Sequence, residues 1–287
     1  MQHRFRWTIA TLCALGVAAT GVGSAAAAND RAASVPTAAI LKLLPKDAKL
    51  IASNQQGALI LPVDMRGDGT SEYASLYESP NNLVGAVIFE KWKGKLQKLW
   101  QYHGPTGLVL PASLSVRDVL HDSKQQVLFQ ATIGAMANQV ELLGWKRRGV
   151  YPMFQTQAAR VDIGQYNGRG ADEIVAWAHD TGNLYNIDPY GWNPRLQRYR
   201  MTPGIAPRYF RSVVIPFYQH ESHTAKGRQT PKMTAYGLAS AYYNAGDYAE
   251  ALAQANKALR FGPNAYPPDN RVQALKHSID TKLHHAR

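Results

Sequence analysis

Two histidine pairs are the first residues whose types and spacing could do chemistry. His220-Glu221-Ser222-His223 presents two imidazoles three residues apart, and His284-His285 presents two more beside the C-terminus. The first pair falls in a polar stretch that reads as a linker and the second in a terminus that frays, so both are read as solvated histidines rather than metal ligands. Asp172-Glu173 are paired carboxylates, the minimum for glycoside hydrolysis. Adjacent residues of a strand point to opposite faces, however, so the two cannot easily share a substrate, and Asp172 is assigned to bracing its loop. The chain has no Gly-x-Ser-x-Gly, no phosphate-binding glycine loop and no histidine-carboxylate-histidine pattern. No catalytic residue, metal or cofactor is assigned, and an envelope hydrolase of unknown type is the third-ranked function. Aromatic side chains offer more. Trp92, Trp145 and Trp192, with Tyr190, lie beside lysines and arginines where they suit stacking on a glycan or gripping an acidic partner, or equally anchor packing between units.

What positions those tryptophans is a repeat of about fifty residues. Asp64 to Glu72, Asp118 to Gln126 and Gln165 to Glu173 share a turn-rich pattern, and each leads into an apolar run: Tyr73 to Tyr77, Val127 to Ala131 and Ile174 to Ala178. A second marker agrees. Trp92-Lys93-Gly94, Trp145-Lys146-Arg147 and Trp192-Asn193-Pro194 recur at nearly the same intervals as the loops. Each tryptophan falls at a hairpin tip between strand-like runs such as Val87-Ile88-Phe89-Glu90 and Leu96-Gln97-Lys98-Leu99. Each unit therefore reads as strand, loop, strand, strand, tight turn, strand, the size of a propeller blade.

The loop residues, Asp64-Met65-Arg66-Gly67-Asp68-Gly69-Thr70-Ser71-Glu72 above all, resemble the FG-GAP or VCBS type of β-repeat over roughly residues 48–200. That resemblance implies a calcium loop, in which alternate residues aim oxygens at one centre and glycine permits the turn. Asp64, Asp68 and Glu72 are the candidate ligands. Arg66 stands where a ligand is wanted, the second loop has Leu120 and Ser123, and the third has Gln165 and Arg169, so structural loops without metal are expected. Three blades fall short of a closed propeller. A small or incomplete propeller is the preferred architecture, with a stacked β-sandwich of the same units as the alternative; strands within Ala48–Val63 and Tyr209–Phe217 are candidates for a fourth blade or for caps.

From Pro231 the composition changes. Lys232 to Leu252, continued by Ala258, Leu259 and Pro263, is similar to a tetratricopeptide repeat, with Gly246-Asp247 as its turn and alanine at positions 235 and 255 where aromatics are usual. Val272, Leu275, Ile279 and Leu283 recur at helical spacing and form the covering helix. Pro207 to His220 is a further candidate helix, with Pro216 as the objection. The resemblance implies a concave partner-binding face made by Met233, Tyr236, Ser240, Tyr243 and Asn244; the competing expectation is that these residues merely pack against the β-region.

At the other end, Arg4 and Arg6, the apolar run from Ile9 to Ala19 and the small residues Ser24 to Ala28 follow the order of a secretory signal peptide cleaved near Ala28. Cys13, the sole cysteine, lies inside that leader, so a mature chain would have no disulfide or thiolate chemistry. The formal net charge is +12, with no run of basic residues longer than Lys146-Arg147-Arg148, which favours acidic glycans, anionic surfaces or acidic proteins over nucleic acid. The expected organisation is a leader at 1–28, an extension at 29–47, β-repeats at 48–221, a linker at 222–230 and a helical module at 231–287. The expected function is an exported protein-protein interaction or scaffolding protein, periplasmic or secreted, whose partner is an envelope protein or peptide segment; glycan binding is the alternative.

Overall fold

A computed structural model describes residues 37–52, 60–102, 107–147, 149–224 and 231–285. The leader and its cleavage point lie outside the described residues, as do linker positions 225–230. The chain is mainly β, in three open antiparallel sheets, followed by a helical region. In the first sheet β1 (Lys49–Ile51) and β2 (Leu61–Val63) both pair with β3 (Glu72–Glu78), which continues to β4 (Val84–Trp92) and β5 (Lys95–Gln101). The second runs β6 (Val109–Arg117), β7 (Gln126–Thr132), β8 (Asn138–Lys146), β9 (Gly149–Ala158), and the third β10 (Arg160–Gly164), β11 (Glu173–Thr181), β12 (Leu184–Asn193), β13 (Arg198–Met201).

Register shows that the three units are equivalent. The pair that closes the nine-residue loop is Val63 with Glu72, Arg117 with Gln126 and Gly164 with Glu173. Residues that the sequence alignment equates thus occupy the same place in each sheet.

The middle strands are nearly continuous apolar runs because both of their faces are covered. Ile40 of helix α1 (Thr37–Leu41) covers Tyr73, Tyr77, Val87 and Phe89 on the outer face of the first sheet. Leu76 and Ile88 meet Val127, Phe129 and Leu143 between the first and second sheets, and Leu128, Leu142 and Phe154 meet Ile174 and Ala176 between the second and third. The remaining face of the third sheet, Val175, Trp177, Leu184 and Ile187, packs on the helices. The layers therefore follow one another in chain order. Each such side chain contributes about 1.5–3 kcal/mol by burial, and without α1 and the helical region both terminal sheets would leave an apolar face in water.

Two sequence expectations change here. Residues 209–217 are helical, not a strand: α2 (Pro207–Tyr209) passes through a π-helical turn (Phe210–Val214) into α3 (Ile215–Thr224). The wide turn lies just ahead of Pro216, where the missing N–H would break an ordinary helix, and Ile215 N–H reaches back to Phe210 O across it. Ser222 to Thr224 belong to α3, so the helix consumes the start of the expected linker. Downstream lie α4 (Pro231–Ala245), α5 (Tyr248–Leu259) and α6 (Asp269–His285), with Val272 and Ile279 buried under the covering helix as their spacing implied. Alanines 235, 239, 251, 255 and 258 let these helices approach closely. Among the described residues no helix is long and apolar enough to cross a membrane.

Candidate functional site

Helix α4 carries the five residues expected to hold a partner. Pro231 opens it, and Gly246, at φ +82°, ends it with its N–H on Tyr243 O while Asp247 N–H bonds Tyr242 O. The helix lies against the third sheet and α3. Gly237 makes the approach possible: a Cβ there would sit 2.5 Å from the Tyr218 ring. Tyr218 in turn accepts the Tyr185 N–H of β12 at 3.1 Å.

This docking divides the expected face in two. Met233 is 5% exposed and belongs to the core shared with the third sheet. Tyr236 is held by Arg271 of α6, whose Nε donates to the phenol oxygen at 3.1 Å and whose guanidinium lies 5.0 Å from the ring centroid. Arg271 also reaches Asp180 at 2.6 Å and Asn186 at 2.6 Å, both on the third sheet. Burial opposes its charge, but the Asp180 carboxylate and Tyr236 more than offset that and raise its pKa. Tyr236 also joins Ser240, Tyr243 and Asn244 on the wall of a cavity of about 220 Å³, facing Pro189, Met201 and Leu275. One end of the face is thus internal packing and the other opens onto a cavity between sheet and helices. Sequence reasoning missed Arg271, Asp180 and Tyr218, because their importance arises only from contacts 33 to 91 residues apart.

The three repeat loops share one construction. The ninth residue, Glu72, Gln126 or Glu173, is buried and accepts the N–H of the second residue: Met65 at 2.9 Å, Val119 at 2.8 Å, Tyr166 at 2.6 Å. The fourth and sixth residues have positive φ in every unit: Gly67 and Gly69, His121 and Ser123, Gly168 and Gly170. Burial pushes the Glu72 and Glu173 carboxyls up, against backbone N–H groups that pull them down.

In the first loop the candidate ligands are engaged by the chain itself. Asp64 spends its oxygens on the N–H groups of Gly67, Asp68 and Gly69, and Asp68 turns to Thr70, whose hydroxyl and N–H hold its carboxyl below the usual range. Arg66 sits on Glu72 at 3.1 Å and Glu90 at 2.5 Å, supplying the positive charge itself. Among the described residues there is no group of three or more His, Cys, Asp or Glu placed to hold a metal. Instead the loops join neighbouring units: Asp64 exchanges hydrogen bonds with Gln125, Asp172 N–H bonds Val119 O, and His121 pairs with Asp172 at 2.8 Å.

Asp172 is thereby placed between loops while Glu173 turns into its own, so the adjacent carboxylates diverge. Glu221 of α3 accepts from Asn183 Nδ2 at 2.6 Å. The tryptophans separate. Trp92 is 55% exposed at the β4–β5 tip, whereas Trp145 is half-buried beneath Arg66, 4.3 Å from its ring centroid, and Trp192 packs on Tyr199.

No model of a known protein family matches the chain. No curated protein matches it either.

Proposed function

We propose that this chain is a binding and scaffolding protein of the cell envelope, periplasmic or secreted, to which the leader-like residues Met1 to Ala28 would direct it. Its three sheets are read as blades of an incomplete propeller of the FG-GAP or VCBS kind, and residues 231–285 as a tetratricopeptide-like module. The shared loop construction and the alanine-lined helix pair support these readings. A partner segment is gripped where α4 faces the third sheet, with Ser240, Tyr243 and Asn244 as the contact residues and Met233 and Tyr236 as their support. The observation that carries this reading is the cavity of about 220 Å³ at that junction, lined by four of the five residues that the helical resemblance selects.

The test is capture of partners by the tagged full chain in its own envelope, with a Tyr243→Ala/Asn244→Ala variant alongside. A defined partner captured by the parent and lost from the folded variant supports the reading; equal capture by both rejects it. Tyr236 is avoided because its tie to Arg271 would confound loss of binding with loosening of the helices.

A further inference from the structure

A different cavity, independent of the helical junction, brings together two of the three hairpin tryptophans. Trp145 and Trp192, from neighbouring units, line one space of about 210 Å³ with Tyr151, Asp122, Lys124 and Gln197. Trp92 is not among its walls. The chemistry of the walls is mixed in a specific way. Three aromatic rings offer apolar surface, and Arg66 stacked at 4.3 Å helps fix the Trp145 indole in place. Asp122 and Lys124 lie 3.5 Å apart, so their charges offset one another and the space has no strong preference for an ion of either sign. Gln197 Oε1 is buried and, among the described residues, has no hydrogen-bond partner. An enclosed acceptor in that state is met by an ordered water, or by a ligand hydroxyl once the side chain turns toward the cavity.

We infer that this inter-unit cavity is a saccharide subsite that takes a single pyranose ring or the end of a glycan. A pyranose presents C–H groups on its face, which suit the aromatic walls, and hydroxyls around its edge, which suit the polar ones. One hydroxyl donates to Gln197 Oε1, another donates to the Asp122 carboxylate, and the Lys124 ammonium donates to a sugar oxygen. The volume sets the size. Sites for drug-sized ligands run to about 300–1,000 Å³, so this one holds one ring rather than an extended chain.

The experiment is a tryptophan-fluorescence titration of the full chain with glucose, galactose, N-acetylglucosamine and glucuronate, each added separately, on the parent and on Trp92→Ala, Trp192→Ala and Gln197→Met variants. At least one sugar is expected to give a saturable change that Trp92→Ala leaves intact and that Trp192→Ala weakens about tenfold, or about 1.4 kcal/mol. Gln197→Met removes the unpaired acceptor, so it should raise the melting temperature while weakening sugar binding. That opposition separates a ligand site from a packing defect, and it decides the matter even if Trp192→Ala fails to fold. No saturable change with any of the four sugars, or sugar binding unaltered in Gln197→Met, overturns the proposal. Loss of partner capture at the helical junction would leave it standing, and the reverse also holds.

Discussion

At the scale of single residues, the buried acids divide by what offsets their burial. Glu72 has Arg66 and a backbone N–H, and Glu173 has two backbone N–H groups. Glu141, 3% exposed, has no ion pair among the described residues and is hydrogen-bonded by glutamines, so burial pushes its carboxyl above the ordinary glutamate range. The same environment pushes Tyr102 up to about 12, through burial and then the Glu141 charge. The folded state therefore holds the Glu141 proton to higher pH than the unfolded chain does. Stability from this group is present while it is protonated and falls as pH rises from the ordinary glutamate value through the raised one. Glu141→Gln should remove that fall, leaving the variant more stable than the parent at neutral pH and showing a flatter dependence on pH in denaturant melts. A parent and variant that lose stability in parallel would refute the assignment. The sequence shows Glu141 in a strand but not its lack of a cation, which depends on the neighbouring strands.

At the scale of elements, the nine-residue loop and the Arg271 clamp behave differently toward prediction. The loop was legible because its constraints are local: two positive-φ positions and a buried acceptor recur at fixed offsets. The second loop meets them with less suitable residues. Ser123, at φ +66°, stands where the other units have glycine, and its N–H bond to Asp118 does not need its side chain. Ser123→Gly should therefore stabilise by about 0.5 kcal/mol, the left-handed strain relieved less the added unfolded-state entropy. His121→Gly should not gain in the same way, because it forfeits the bond to Asp172. Thermal melts of the two variants distinguish these outcomes. Arg271 gave no comparable signal, since its partners lie on another element. Arg271→Lys keeps the charge but loses the fork and the stack on Tyr236, and should cost about 2 kcal/mol. Hydrogen exchange locates the effect: faster exchange is expected in 231–285 with the sheet amides unchanged, whereas uniform acceleration would contradict the clamp.

At the scale of the whole molecule, chain order and layer order coincide, from α1 through three sheets to the helices. The repeat marked out the three units because the loop and tryptophan intervals agree. It did not show how the stack ends. Residues 209–217 read either as a strand or as part of a helix from Pro207 to His220 with Pro216 as the objection, and a π turn ahead of that proline makes them the helix that covers the third sheet. The partner face was partly legible for a related reason: helical spacing selects Met233, Tyr236, Ser240, Tyr243 and Asn244, but only docking decides that Met233 is enclosed and that Tyr236 is tied to Arg271. The central claim is that the open half of this face holds a partner. It is tested most directly by placing a photocrosslinking side chain at position 240 of the full chain in its own envelope, with position 92 as the comparison. The account predicts one defined protein adduct from position 240, absent from position 92 and lost with Tyr243→Ala. No adduct from position 240, or the same adducts from both positions, would contradict it.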